Sequence, residues 1–293
     1  MASKKRVGWI GYAFLLPWLI GFLLLRIIPI VASGYYSLTD FDLLTTPNFI
    51  GFENFTNLFS DRRFLNSISV TFTFVFISVP LQLAFSLGVA LLLKKNRKGI
   101  RVYRAIYYLP SLFGSSVAVA ILWRQIFNRT GIFNQVLEFF GIEGQNWIAQ
   151  PQTALNTLIT LSIWQFGASM VIFLAALKQI PQEYYEASSI DGAGRVRQFF
   201  TITFPLLTPI IFFNVIMQII NAFQSFTQAF IVSSGTGGPV DSTLLYSLYI
   251  FIVGFTQFRM GYASAMAWVL LLIISVITAI IFLTSRFWVF YDE

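Results

Sequence analysis

Apolar residues run in long blocks along this chain, and polar residues gather in the gaps between them. A spanning helix needs about 20 mostly apolar residues. Blocks long enough lie at 9–35, 68–93, 105–127, 153–177, 209–233 and 261–284. The pattern predicts an all-α, integral membrane fold with six transmembrane helices. A further apolar stretch, 242–258, is shorter and carries Tyr246, Tyr249 and Gln257, with only Arg259 and Met260 between it and the last block. Charge decides its place. Lys4, Lys5 and Arg6 precede the first block, the 94–104 gap holds Lys94, Lys95, Arg97, Lys98, Arg101 and Arg104 without an acid, and Arg286 follows the last block. Such clusters mark the cytoplasmic side. Six crossings bring both termini there and seven would not, so 242–258 is expected at the outer interface. The first block exceeds a signal-peptide core and reads as an uncleaved anchor. No tandem repeat is apparent, and a single membrane domain over 1–293 is expected.

Composition narrows the chemistry. Of 293 residues, 57% are hydrophobic and 11% charged, against roughly a quarter charged in a soluble domain. There is no cysteine and no histidine, which removes thiolate chemistry, disulfides and the commonest general base and zinc ligand. An enzyme is not expected, nor any cofactor. The net charge of +7 sits in short clusters beside apolar blocks, which indicates topology signals and the lipid bilayer rather than nucleic acid.

The gap between the fourth and fifth blocks, 181–205, carries the most specific pattern. Pro181 suits the first position of a helix, with Glu183 and Glu186 near its positive end. Gly192 can take the left-handed conformation that stops it. Residues 195–203 can form a second short helix, with Pro205 and Pro209 marking the turn into the fifth block. Glu186-Ala187-Ser188, three residues, Gly192, nine residues, then Ile202-Thr203-Phe204-Pro205 resembles the EAA loop of binding-protein-dependent ABC importer permeases. Tyr185-Glu186-Ala187, Ile190-Asp191-Gly192-Ala193 and Phe199-Phe200 are similar to its carbohydrate-uptake branch, the maltose and multiple-sugar type. Ser188 stands where alanine is usual and Phe204 where leucine is usual. The likeness continues at Gly261-Tyr262-Ala263-Ser264-Ala265, which opens the last block.

The resemblance implies a type I ABC importer permease fold in a bacterial or archaeal cytoplasmic membrane. It implies that this loop couples to an ATPase subunit. Glu186 would make polar contact, Ala187 and Ser188 would allow close approach, Gly192 would turn the chain, and Asp191, Ile202 and Pro205 complete the motif. Its implied partners are a second permease subunit, an ATP-binding subunit dimer and an extracytoplasmic solute-binding protein. The chain has no G-x-x-x-x-G-K-[ST] loop of its own, so the motor is expected to be separate.

Asn214, Gln218, Asn221, Ser225 and Gln228 follow spacings of 4, 3, 4 and 3, which places them within a stripe about 80° wide on a continuous helix. Amides in a span face other helices or a wet cavity rather than lipid. With Trp164 and Gln165 of the fourth block they are candidates for the substrate path. Amides both donate and accept hydrogen bonds, as hydroxyl-rich ligands require. The central blocks hold no Asp, Glu, Lys or His, which fits a neutral sugar. Arg26 is expected towards the outer side, where it either snorkels or meets an anionic cargo. Arg124 and Arg259 are expected at the outer interface, as docking or simply solvated charges. The main expectation is an oligosaccharide importer subunit. The alternatives are the same machine for an acidic sugar or a sugar phosphate, and an ion-gradient-driven transporter, which would lack intramembrane carboxylates.

Overall fold

A computed structural model of the chain describes residues 3–95, 98–114 and 116–290. Arg97 of the basic gap lies outside the described residues, as do the side chains of Lys4, Lys5 and Arg6. The described chain is helical, with a lone antiparallel bridge between Thr39 and Phe49. Its helices are α1 (Ser3–Phe22), α2 (Ile28–Tyr36), α3 (Glu53–Leu58), α4 (Arg62–Leu93), α5 (Ile100–Phe113), α6 (Val117–Ile126), α7 (Ile132–Phe139), α8 (Pro151–Trp164), α9 (Gly167–Gln179), α10 (Gln182–Ile190), α11 (Arg195–Gln198), α12 (Phe204–Phe223), α13 (Thr227–Val232), α14 (Tyr246–Phe251) and α15 (Met260–Ser285).

Five stretches are long and apolar enough to cross a membrane: Phe14–Tyr36, Arg62–Leu93, Pro151–Gln179, Arg195–Val232 and Met260–Ser285. The expected third crossing is a bent pair, α5 and α6, whose axes meet at 102°; counted as one span, it makes six. The 242–258 stretch packs into the protein rather than forming a seventh span. Tyr246–Thr256 is helical and far too short to cross, and Leu244, Leu245, Tyr246, Leu248 and Val253 are buried in protein.

The chain divides into two compact units. One comprises residues 1–61 and 250–270. Here Asn54 ties down the loop after α2, its Nδ2 donating to the carbonyls of Ser37 and Thr39 at 2.9 and 2.8 Å. The Gly261 N–H donates to the Phe41 carbonyl at 2.8 Å, and the Tyr262 hydroxyl to Asp61 at 3.0 Å. Arg259 lies over the Tyr262 ring. In the same loop, the side-chain and backbone amides of Asn48 hold the Asp40 carboxyl below its ordinary range, and the Thr45 amide and hydroxyl do the same for Asp42. Arg26 stands exposed in the π-helical turn Leu23–Ile27 between α1 and α2.

The other unit, residues 62–249 and 271–293, is organised around α4. Its buried positions recur at helical spacing: Thr71, Phe74, Val75, Ser78, Val79, Gln82, Leu83, Ser86 and Ala90. The small and hydroxylated members let α8, α9 and α12 pack closely, as expected between membrane helices. Ser86 fixes one such contact, donating to Gln82 within α4 at 2.6 Å and to the Phe166 carbonyl at 3.0 Å. The opposite face of α4 (Phe76, Leu81, Phe85 and Leu92) is exposed. Such a face suits lipid or another subunit rather than water.

Candidate functional site

Three interrupted helical runs meet in the second unit. Between α5 and α6 the helix stops at Gly114; between α8 and α9 it turns at Gln165 and Phe166; between α12 and α13 it breaks over residues 224–226. Each break leaves backbone N–H and C=O groups without intrahelical partners. At membrane depth such backbone is tolerated only when buried in protein or lining a wet cavity. Both conditions are met. A cavity of about 390 Å3 opens at the breaks, lined by Gln82, Ser111, Gly114, Ser162, Gln165, Gln218, Asn221, Gln224, Ser225, Thr227 and Gln228, with Phe74, Ala168, Ala222 and Phe226 as its apolar part. No charged side chain lines it among the described residues.

The Gly114 carbonyl is the hub. Gln228 Nε2 donates to it at 2.8 Å and Gln165 Nε2 at 3.1 Å. Glycine is required by close approach rather than by conformation: its dihedrals are ordinary right-handed helical, but an added Cβ would overlap the Gln165 side-chain amide. Ser225 donates to Gln228 Oε1 at 3.0 Å, and Gln82 Nε2 to the Gln165 carbonyl at 3.3 Å. Gln218 Nε2 reaches Ser169 Oγ at 2.9 Å. The amides therefore brace one another and still present donor and acceptor edges to the cavity.

Gln165, Gln218, Asn221, Ser225 and Gln228 all line this cavity, as the amide stripe suggests. They do so by a different route, because α12 ends at Phe223 and the stripe's continuous helix does not exist. Asn214 and Trp164 do not line it. Asn214 is buried, with Nδ2 turned back to the Ile210 carbonyl at 2.9 Å. Trp164 packs on Trp123, ring centroids 5.6 Å apart. Gln82, Ser111, Ser162 and Gln224 escaped the sequence reading. Gln82 had a signal, being an amide four residues before Ser86 in an apolar block; Gly114 had one too, since it interrupts such a block beside Ser115 and Ser116.

The 181–205 segment forms a helical hairpin. Pro181 caps α10 from outside, one residue earlier than expected. Gly192 turns the chain with φ of +76°, a conformation costly for residues with a Cβ. Gln198 locks the hairpin, its Nε2 reaching the Tyr185 carbonyl at 3.2 Å and the hydroxyls of Ser188 and Ser189 at 3.0 and 2.9 Å. Glu186, Ala187, Asp191 and Gly192 are exposed, Ile202 and Pro205 half-buried. Ile190 and Val196 are 88% and 74% exposed, so the hairpin presents apolar side chains outward. Pro205 and Pro209 do not make a turn. Helix continues from Arg195 to Phe223 through the π-helical stretch Phe199–Thr203. Proline would strand and crowd a carbonyl in a regular α-helix; here the residue before it, Phe204, donates five residues back to Phe199, which widens the turn. At the foot of α4, Lys94 Nζ lies 3.3 Å from the Tyr185 hydroxyl and 4.4 Å from its ring centroid, and that hydroxyl pairs with Thr203 at 2.9 Å.

A family of binding-protein-dependent transport system inner membrane components matches residues 54–287. The chain is 55% identical over 293 residues to the probable ABC transporter permease protein YesP of Bacillus subtilis, covering 99% of this chain and 95% of that protein. It is 32% identical over 251 residues to the trehalose/maltose transport system permease protein MalF of Thermococcus litoralis, covering 85% and 84%. A solved bacterial alginate ABC transporter, in complex with an alginate pentasaccharide-bound periplasmic protein, contains a chain that superposes with a TM-score of 0.85 at 23% identity, covering 98% of this chain and 97% of that one. On the length of the family match and on these identities, the chain is a multi-pass membrane protein belonging to the binding-protein-dependent transport system inner membrane components, the permeases of ABC importers.

Proposed function

We propose that this chain is one permease subunit of an ATP-driven, binding-protein-dependent importer of neutral oligosaccharides. The carrying observation is the cavity at Gly114, lined by amides, hydroxyls and a few apolar groups without a charge. Sugar hydroxyls both donate and accept, and their ring faces pack on apolar and aromatic groups such as Phe226. The volume falls in the range of small-ligand sites. An acidic cargo would leave its carboxylate there without a cation. The Thermococcus litoralis relative, a trehalose/maltose transport system permease, supports a sugar.

The 181–205 hairpin is the coupling element, with Glu186, Ala187, Ser188, Asp191, Gly192, Ile202 and Pro205 presenting or shaping its surface toward an ATPase. Family membership supports a second permease, an ATP-binding subunit dimer and an extracytoplasmic binding protein as partners, with both termini of this chain cytoplasmic. The family match runs through both compact units, which supports one permease domain. In this reading the hairpins of two permeases rock as the ATPase closes, and the cavity opens alternately outward and inward.

The test is co-purification from mild detergent, wild type against Glu186→Lys plus Gly192→Pro, with uptake of labelled oligosaccharides by the reconstituted complex. Wild type should bring down an ATPase and a second permease and import sugar, and the variant should fold but lose the ATPase. A wild type that purifies alone and moves sugar without ATP sinks the proposal.

A further inference from the structure

The loop that follows α13, in the same compact unit as the Gly114 cavity, has an unusual backbone. Five of the eight residues from 234 to 241 have positive φ, and three of these are not glycine: Ser234 at +55°, Val240 at +49° and Asp241 at +54°. A β-branched residue there is a steric outlier. Such conformations persist only where the surroundings over-determine them. Packing does not hold Val240, whose side chain is 87% exposed. Its neighbour is held instead. Arg63, at the start of α4, donates to Asp241 as a fork, Nε to Oδ2 at 2.9 Å and Nη2 to Oδ1 at 2.7 Å, the geometry in which an ion pair is most directional. Asn66 Nδ2 donates to the Asp241 backbone carbonyl at 3.0 Å, so side chain and main chain are both gripped.

From this clamp the loop is tied back to α13. Thr243 donates from its N–H to the Gly237 carbonyl at 3.0 Å and from its hydroxyl to the Gly238 carbonyl at 2.8 Å. The Gly237 N–H donates to Ser233 Oγ at 3.1 Å, and the Gly235 N–H to the Phe230 carbonyl at 2.7 Å. The Ser233 hydroxyl donates in turn to the Ala229 carbonyl at 2.6 Å. Helix α13 has six residues, and its other end is the break at 224–226. Packing on α6 fixes its line, but hydrophobic contact is non-directional and resists rotation about that line weakly. The hydrogen bonds at its end fix the rotation. Gln228 lies five residues before Ser233, about 7.5 Å along the helix, and its Nε2 makes the shorter of the two side-chain bonds to the Gly114 carbonyl.

We propose that Arg63 and Asp241 are positioning residues for the sugar cavity: their clamp holds the strained loop, the loop sets the rotation of α13, and that rotation keeps Gln228 on the Gly114 carbonyl. The inference rests on the sugar-importer reading and deepens it, because grip on the sugar then depends on an ion pair that does not line the cavity.

The test uses the reconstituted importer complex and uptake of labelled maltotriose. Asparagine tolerates the left-handed conformation, so Asp241→Asn removes the charge without forcing the backbone to move. In Asp241→Asn and in Arg63→Gln, KM should rise by up to about tenfold, the ceiling set by re-ordering one freed amide around the sugar. In a Gln228→Ala background the same changes should move KM no further. A merely structural role would give the same loss with or without Gln228. The chain has no cysteine, so Thr227→Cys places a single thiol of this chain on the cavity wall at the start of α13. Its rate of labelling by N-ethylmaleimide, followed by the mass of this chain in the sugar-free complex, should change severalfold when Asp241→Asn is added. An unchanged KM, or an equal rise in both backgrounds, refutes the clamp and leaves the importer reading standing. If wild type imports no maltotriose, that cargo fails and the labelling rate decides: a severalfold change supports the clamp, and an unchanged rate refutes it too.

Discussion

Replacing Gly114 with alanine puts one methyl group where the Gln165 amide lies, with Gln165 Cδ at 2.5 Å and Cγ at 2.9 Å from the new carbon. The backbone accepts alanine, because φ of −56° and ψ of −35° are ordinary helical values. What must give is the end of a glutamine side chain, so the fold should survive. Moving it removes the Gln165 bond to the Gly114 carbonyl and the 3.4 Å contact from Gln228 Nε2 to Gln165 Oε1, while the Gln228 bond to Gly114 remains. Two internal bonds at about 1 kcal/mol each come out of the stability of the folded chain, so the thermal unfolding temperature should fall modestly, and the cost of re-ordering the freed Gln165 edge around a sugar caps the loss of affinity at about thirtyfold. Uptake by the reconstituted complex should show a rise in KM within that ceiling. Gln165→Ala should lose a similar amount, and Gly114→Ala combined with Gln165→Ala should be no worse than Gln165→Ala alone, since both changes remove the same arrangement. Additive losses, or a Gly114→Ala protein with wild-type KM, would refute the account of the hub.

Three further outcomes are expected. Asn134→Ala removes a donor to three carbonyls and the acceptor of Trp147, so it should cost about 3 kcal/mol, read as a lower unfolding temperature and altered Trp147 fluorescence. Lys94→Met removes the cation beside Tyr185 at the foot of α4; it should loosen the hairpin by about 1 kcal/mol, measured as more ATP hydrolysed per sugar imported while the ATPase still co-purifies. The Asp40 carboxyl is held below its ordinary value by Asn48. A depressed folded value means the contact stabilises the loop above the ordinary aspartate range and is lost as pH falls through the lowered value. The protection of the Asn48 amide against exchange, relative to its intrinsic rate at each pH, should therefore persist at neutral pH and fall only in strong acid; a fall beginning above the ordinary aspartate range would contradict it.

Span positions were legible because a membrane imposes a length rule on apolar blocks, and the hairpin because Pro181, Gly192 and the charges around them act locally. The breaks at Gly114 and at 224–226 were not. A broken helix end is stable only because its groups find partners elsewhere, and the partners of the Gly114 carbonyl are Gln165 and Gln228, 51 and 114 residues away. The amide stripe led to a shared cavity for a partly wrong reason: the spacing of Gln218, Asn221, Ser225 and Gln228 was read as one helix face, yet two of them arrive there after a break. Asn214, at the same spacing, does not. Pro205 misled in the opposite direction, since a local widening of the helix absorbed what looked like a turn. Asn134 gave no local cue, because its importance lies in loops that only the folded chain brings together.

The uncharged lining of the Gly114 cavity has a practical consequence for anyone measuring this transporter. The side chains that ordinarily titrate from roughly pH 5 to pH 9 are histidine and cysteine, and this chain has neither. Grip on a neutral sugar should then be pH-silent across that interval. A bell-shaped or sloping uptake curve would be the signature of whichever subunit works beside it, which turns a simple buffer series into a way of telling the permease's contribution from the motor's.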